Sequence, residues 1–364
     1  MMKQYVLQNF ENLIPCEKCQ NKYLRIFILL SILGICLYIL INNFGNLYAG
    51  DAFNPSFVKP NANGFNLSYC LISKINILSG GPLKDGIPAL VSPPVVHAKQ
   101  VNYLDPYDRV IGVTMGNEAR AYPLDIIIWH EAINDTLNGI PILVTYCPLC
   151  DSALVFHREI GGIVKEFGVS GLLYQSNVLL YDRQQNSKNE SLWSQLSMRA
   201  VCGPAAQKRH QLELIDSNLI TFQAWTDLYP ETTVVSIATG YNRSYDQTAY
   251  AEYFSTDNLV FPVVNRTRGR PDLKNKDQVM LVMSNGEYKA YALPDIIRSP
   301  NQQIEDFIAG VPLQIRLNSE TYDVIVQPIQ NIHDQGDSSF DIKRSYMFWF
   351  AFDAFYPEVE LYQP

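Results

Sequence analysis

The residues best equipped for chemistry are the two thiols of Cys147-Pro148-Leu149-Cys150, which follow the apolar run PILVTY. Two cysteines at this spacing can close a small redox disulfide, or hold one soft metal ion through their thiolates. In the redox version Cys147 attacks and Cys150 resolves. In the metal version His130, one of only five histidines, is the candidate third ligand. That leaves an open position for Cu or Zn; His157 is the alternative. Trp129-His130-Glu131-Ala132-Ile133-Asn134 has Asn where a zinc-protease helix carries its second histidine, which excludes that mechanism. Cys16 and Cys19 repeat the spacing, but an apolar run separates them from the body, so the two pairs cannot share an ion.

A polar and aromatic set follows in GLLYQSNVLLYDRQQNSKNESLWSQ, with Tyr174, Ser176, Asn177, Asp182, Arg183, Trp193 and Gln195 close together. Alternation along Asn177 to Asp182 places some of them on one sheet face. With the segment around His130, the expected pocket lining is Glu131, Asn134, Asn177, Asp182, Trp193 and Gln195. A solvated face is the competing reading. Gly168-Val169-Ser170-Gly171 lacks the spacing of a nucleophile elbow, and no phosphate-cradling loop or dinucleotide fingerprint occurs. Cys70 and Cys202 can pair with each other in an oxidising compartment.

The elements that must position these residues are mostly strands. RVIGVTMGNEARAYPLDII at 109–127 reads as a hairpin around Gly116-Asn117, and QVMLVMSNGEYKAYALPDII at 278–297 as another around Asn285-Gly286. Val110 and Val279, Glu118 and Glu287, and Tyr122 and Tyr291 keep one offset. Gly139-Ile140-Pro141 then meets Gly310-Val311-Pro312, and each stretch closes on an aromatic cluster before Pro-Glu. Two homologous hairpin-rich repeats are therefore expected, at 85–240 and 245–364. LDIIIWHEAINDTL has helical spacing, which would put His130 and Asn134 on one helix face and Glu131 and Asp135 on the next. PILVTY, SALVFH and NVLLYD read as strands. The expected fold is α+β and mostly antiparallel, with one short helix per repeat. A thioredoxin-like context, which needs a βαβ unit around the CxxC, is missing.

The run at 24–41 is apolar except for Arg25, Ser31 and Gly34, and is about long enough to cross roughly 30 Å of hydrocarbon. Lys3, Lys18, Lys22 and Arg25 precede or open it, against Glu11 and Glu17. This bias predicts a cytoplasmic tail at 1–23, a transmembrane signal anchor at 24–41 and a body outside the plasma membrane. A cleaved signal peptide is the rival, and it exports the body equally. Residues 42–84, rich in Asn, Gly, Pro and Ser, read as a linker. The net charge of −8 repels phosphate backbones and excludes nucleic acid as a partner. With 22 tyrosines and four tryptophans, an exported module that grips a glycan or an envelope protein is the second functional reading.

DGIPAL from Asp85, the long block from VIGVTMGNEARAYPLDII to LVFHR, FGVSGLLYQSNVLLYDR and SLWSQ together resemble the domain of unknown function 3179 family, whose members look exported or membrane-anchored. The resemblance implies no activity. It includes the positions of His130, Glu131, Asn134, Asp135, Cys147, Pro148, Cys150, Asn177, Tyr181, Asp182, Trp193 and Gln195. His157 departs from the pattern, and Lys188-Asn189-Glu190 looks like added length. Cys147 and Cys150 correspond to Asn318 and Thr321 in the second stretch, so a single site, in the first, is expected.

Overall fold

The structure, a computed structural model, describes residues 62–247, 249–318, 323–329 and 341–364. The expected tail at 1–23, the apolar run at 24–41, the first part of the expected linker and Thr321 lie outside the described residues. Among the described residues, no helix is long and apolar enough to cross a membrane.

Both expected hairpins form. Arg109–Met115 pairs antiparallel with Glu118–Pro123, and Gln278–Ser284 with Glu287–Ala292. Asn285 and Gly286 have φ of 49° and 83°, the left-handed pair that a tight two-residue hairpin turn needs and that Asn-Gly tolerates. The surroundings of the two hairpins match. Arg109 faces Thr221 as Gln278 faces Phe348, both antiparallel. Arg120 faces Thr233 as Lys289 faces Glu360, both parallel. Arg120 and Tyr122 bond Asp135 at 2.7 and 2.9 Å, and Lys289 and Tyr291 bond Asp306 at 3.0 and 3.1 Å. Each stretch continues into three further antiparallel strands: Ala132–Leu137, Ile140–Cys147 and Ser152–His157 in one, Gln303–Ile308, Val311–Leu317 and Val324–Pro328 in the other.

The helical expectation for 124–137 is corrected. The helix is only Leu124–Ile127, and Ala132–Leu137 is a strand. Asn138 and Gly139, both left-handed, turn this strand back onto Ile140–Cys147, and the ladder formed satisfies backbone groups that a continued helix would otherwise pair. Asn134 is therefore a strand residue that does not share a helix face with His130. Helices are also more numerous than one per repeat. Phe222–Leu228 follows the first hairpin's flanking strand, while Leu293–Arg298 and Trp349–Phe355 lie in the second stretch.

The two stretches share one sheet, because Tyr346 of Ile342–Phe348 pairs with Ala153 of Ser152–His157. Pairing is antiparallel throughout, with three parallel exceptions among the described residues. A second sheet carries Phe167–Tyr174, Asn177–Asp182 and Leu192–Ser194. Its edge is Ile77–Ser79, so the C-terminal part of the expected linker is packed structure. Phe65, Leu67 and Ile77 bury their side chains there, and Cys70 is disulfide-bonded to Cys202. Scattered apolar residues among Asn and Gly were enough to seal a sheet edge. Gly171 makes the close approach possible: its φ is +72°, and a Cβ there would stand 2.1 Å from the Pro82 carbonyl oxygen.

Candidate functional site

Cys147 ends its strand, Pro148 to Asp151 turn, and Ser152 begins the next strand, with Cys147 and Ser152 paired. The CxxC thus sits on a β-hairpin turn. It faces the main apolar core, in which Cys147 and Cys150 pack with Trp193, Leu196, Phe348 and Phe350. The sulfurs are free thiols in this structure, and the residues are 1 % and 0 % exposed.

Burial pushes the Cys147 thiol up, but hydrogen bonds outweigh it. The Cys150 side chain and the backbone N–H groups of Val178, Cys150 and Leu149 all donate to the sulfur, and its pKa falls below the ordinary thiol value. Turn amides supply here the anion-stabilising dipoles that a helix N-terminus supplies elsewhere. Cys150 moves the other way: burial and the neighbouring Cys147 raise it, and the Asn177 amide only partly opposes them. Its sulfur also lies 3.3 Å from the Ser176 carbonyl oxygen. The two thiols are thus shifted in opposite directions.

Four non-glycine residues around the sulfurs are left-handed: Glu131, Asp151, Gln175 and Ser176, with φ of 57°, 45°, 52° and 63°. Such conformations cost on the order of 1 kcal/mol or more each and concentrate where surrounding structure imposes them. Glu131 accepts from the Tyr146 N–H through its carbonyl at 2.9 Å. Its carboxyl is raised well above the usual range, first by burial and then by Cys147. Asp151 is held by Arg109 at 3.0 and 3.1 Å, by the Tyr146 hydroxyl at 2.8 Å and by Gln278 at 3.3 Å.

The expected pocket residues divide into two groups. Asn177 and Gln195 belong beside the dithiol. The Gln195 carbonyl accepts from Ser152 at 2.7 Å and Asn177 at 2.8 Å, and its amide donates to Thr145 at 2.9 Å and to the Ser152 carbonyl at 3.1 Å. Asn134, Asp182 and Trp193 fasten the second sheet, with Trp193 also in the core that holds the thiols. Asn134 exchanges bonds with the backbone of Phe167 at 2.7 and 2.8 Å, and Asp182 accepts from Ser191 N at 2.8 Å and the Trp193 indole at 3.1 Å. Buried strands need such partners more than a pocket does.

His130 is not brought to the thiols as a ligand. Its Nδ1 is 2.7 Å from the Pro88 carbonyl oxygen and its Nε2 2.7 Å from the Tyr245 hydroxyl, so both ring nitrogens are engaged. His157 pairs with Ile142, at the far end of the strand from Ser152. Among the described residues, no group of three or more His, Cys, Asp and Glu side chains is placed to hold a metal ion.

Two residues that sequence reasoning missed cover the site. Tyr253, on the short helix Ala251–Ser255, donates to the Leu149 carbonyl at 2.8 Å, and Tyr250 packs beside it against the same core. Their segment shows no motif, and its only signal is a cluster of tyrosines around the start of the second hairpin-rich stretch. A cavity of about 550 Å³ is walled by Asp151, Arg109, Gln278, Lys276 and Phe348 but by neither cysteine.

These features define a β-rich protein with a sealed vicinal dithiol on a hairpin turn. The chain matches, over residues 84–359, the family model described as protein of unknown function (DUF3179), and it belongs to that family. No curated protein and no solved structure matches it.

Proposed function

We propose that the protein is an extracytoplasmic thiol–disulfide redox protein, anchored through residues 24–41, in which Cys147 attacks and Cys150 resolves. The observation that carries this reading is a pair of free thiols closed on one tight turn, with the Cys150 N–H bonded to the Cys147 carbonyl at 3.1 Å, and with the two thiols shifted in opposite directions. Low-pKa attacking and high-pKa resolving thiols are the division of labour that thiol–disulfide exchange requires. The Cys70–Cys202 crosslink supports export, since disulfides persist in oxidising compartments. The matched hairpin registers and the matched Asp135 and Asp306 bonds support a duplicated unit whose first copy alone keeps the thiols.

The test is pH-dependent alkylation of the full-length chain, read on the peptides that hold Cys147 and Cys150, with Cys147→Ser and Cys150→Ser beside the wild type. Cys147 is expected to react below the ordinary thiol range, and mild oxidation to join it to Cys150. Two thiols that both titrate at or above that range, with no Cys147–Cys150 disulfide under any oxidant, overturn the proposal. The glycan-gripping alternative draws less support, because Trp193, Trp225 and Trp349 are fully buried.

A further inference from the structure

Resting on the dithiol reading, we infer that the oxidant this site takes is a small hydroperoxide rather than a protein or peptide disulfide. The first ground is access. Exchange with a disulfide needs three sulfurs in line, with the partner's main chain at the mouth of the site. Here the Tyr253 hydroxyl is bonded to the turn at Leu149, and its ring lies under the Lys276 ammonium at 3.3 Å. Lys276 also donates to the carbonyls of Tyr253 and Thr256, the latter at 2.6 Å. A bulky partner has to unpack this cover, whereas a molecule of two oxygens needs only a transient gap.

The second ground is an independent pair of polar atoms. Ser176 Oγ and Gln175 Nε2 are buried without a hydrogen-bond partner among the described residues, in residues that are 0 % and 2 % exposed. Burying such a group unpaired costs about 1–3 kcal/mol. Both stand on the hairpin turn that already touches the sulfurs, through the Ser176 carbonyl, the Asn177 amide and the Val178 N–H. The turn has left-handed φ at both central positions, where Asn-Gly is the relaxed choice. Gln and Ser are held there against backbone preference; Gln175 is tied through its Oε1 to the Val264 N–H at 2.8 Å, which leaves the Ser176 hydroxyl as the free donor on the residue whose carbonyl meets the Cys150 sulfur.

The third ground is a proton source. Glu131 is buried, its carbonyl accepts from the N–H of Tyr146 beside Cys147, and burial followed by Cys147 raises its carboxyl well above the usual range. The Cys147 thiolate attacks the terminal oxygen; the S–O bond forms and the O–O bond breaks. Sulfur gives up two electrons, and the leaving oxygen takes the Glu131 proton to become an alcohol, or water from hydrogen peroxide. The sulfenic acid on Cys147 is then attacked by Cys150, whose proton passes to Glu131. The S–S bond forms and hydroxide leaves, to be protonated by solvent. In net terms two thiols and one hydroperoxide give one disulfide, one alcohol or water, and one further water.

The test oxidises the reduced full-length chain with hydrogen peroxide or with oxidised glutathione and follows the Cys147–Cys150 disulfide by mass spectrometry. Hydrogen peroxide is expected to react at least about tenfold faster than oxidised glutathione, and Cys150→Ser to accumulate sulfenic acid on Cys147 that dimedone traps. Ser176→Gly, which relieves the left-handed backbone and so folds at least as well, is expected to slow the peroxide reaction about tenfold while leaving the glutathione rate unchanged. Glutathione disulfide matching or outpacing peroxide, or an unaltered peroxide rate in Ser176→Gly, overturns the inference and leaves the dithiol reading standing. Failure of both oxidants to join Cys147 to Cys150 overturns the dithiol reading itself.

Discussion

Glu131 and His130 are adjacent in sequence and respond to pH with opposite sign. Burial, then Cys147, raises the Glu131 carboxyl, so its contribution to stability is full below the ordinary carboxylate range and is lost as pH rises through its folded value. Burial lowers His130, with the Pro88 carbonyl opposing and Arg243 adding. Its contribution is full above the ordinary histidine range and is lost as pH falls through its folded value. Thermal melts across pH are therefore expected to show a decline on the alkaline side that Glu131→Gln flattens and His130→Gln does not. A second expectation concerns Gln195, which satisfies Thr145, Ser152 and Asn177 at once. Gln195→Ala leaves several buried groups unpaired and should cost about 2–4 kcal/mol in denaturant unfolding. It should also bring Cys150 into alkylation at lower pH, because the Asn177 amide is freed to favour the Cys150 thiolate.

Among the elements, the hairpins were legible in the sequence because their turn residues announce a backbone that few others adopt: Gly116-Asn117 and Asn285-Gly286 both lie where expected. The strands PILVTY, SALVFH and NVLLYD were legible from apolar runs. The 132–137 strand was not, since its apolar spacing fits a helix as well; the Asn138-Gly139 pair was the decisive signal and outweighs periodicity. The cysteine pair could be read as a CxxC between two strands, and the pocket set of Glu131, Asn134, Asn177, Asp182, Trp193 and Gln195 was a separate reading from it. What could not be read is which side chain turns inward once a left-handed residue interrupts alternation, as at Gln175 and Ser176. Nor could sequence show that His130 is satisfied by a carbonyl and by a tyrosine more than a hundred residues away. Element packing gives a further expectation. Gly112 lies against the Trp225 ring, where a Cβ would stand 2.3 Å from Cε3. Gly112→Ala should destabilise the Arg109–Met115 strand by about 1–3 kcal/mol through overpacking, measurable as a lower denaturation midpoint at unchanged slope.

At the scale of the whole molecule, the Cys70–Cys202 bond closes a loop of 132 residues and ties the segment before the first hairpin to the second sheet. Replacing both cysteines by alanine should cost about 2–5 kcal/mol and expose the sheet edge to proteolysis, while leaving the pH dependence of Cys147 alkylation unchanged. A shift in that dependence would mean the crosslink shapes the dithiol turn directly.

The bond from Phe348 N to the Cys150 carbonyl, 2.7 Å long, has a consequence for biosynthesis. The strand that braces the CxxC turn emerges from the ribosome nearly two hundred residues after the turn itself. Contacts so distant in sequence form late and slowly. The nascent chain therefore carries uncovered thiols until the Ile342–Phe348 strand has been made and pairs with the turn.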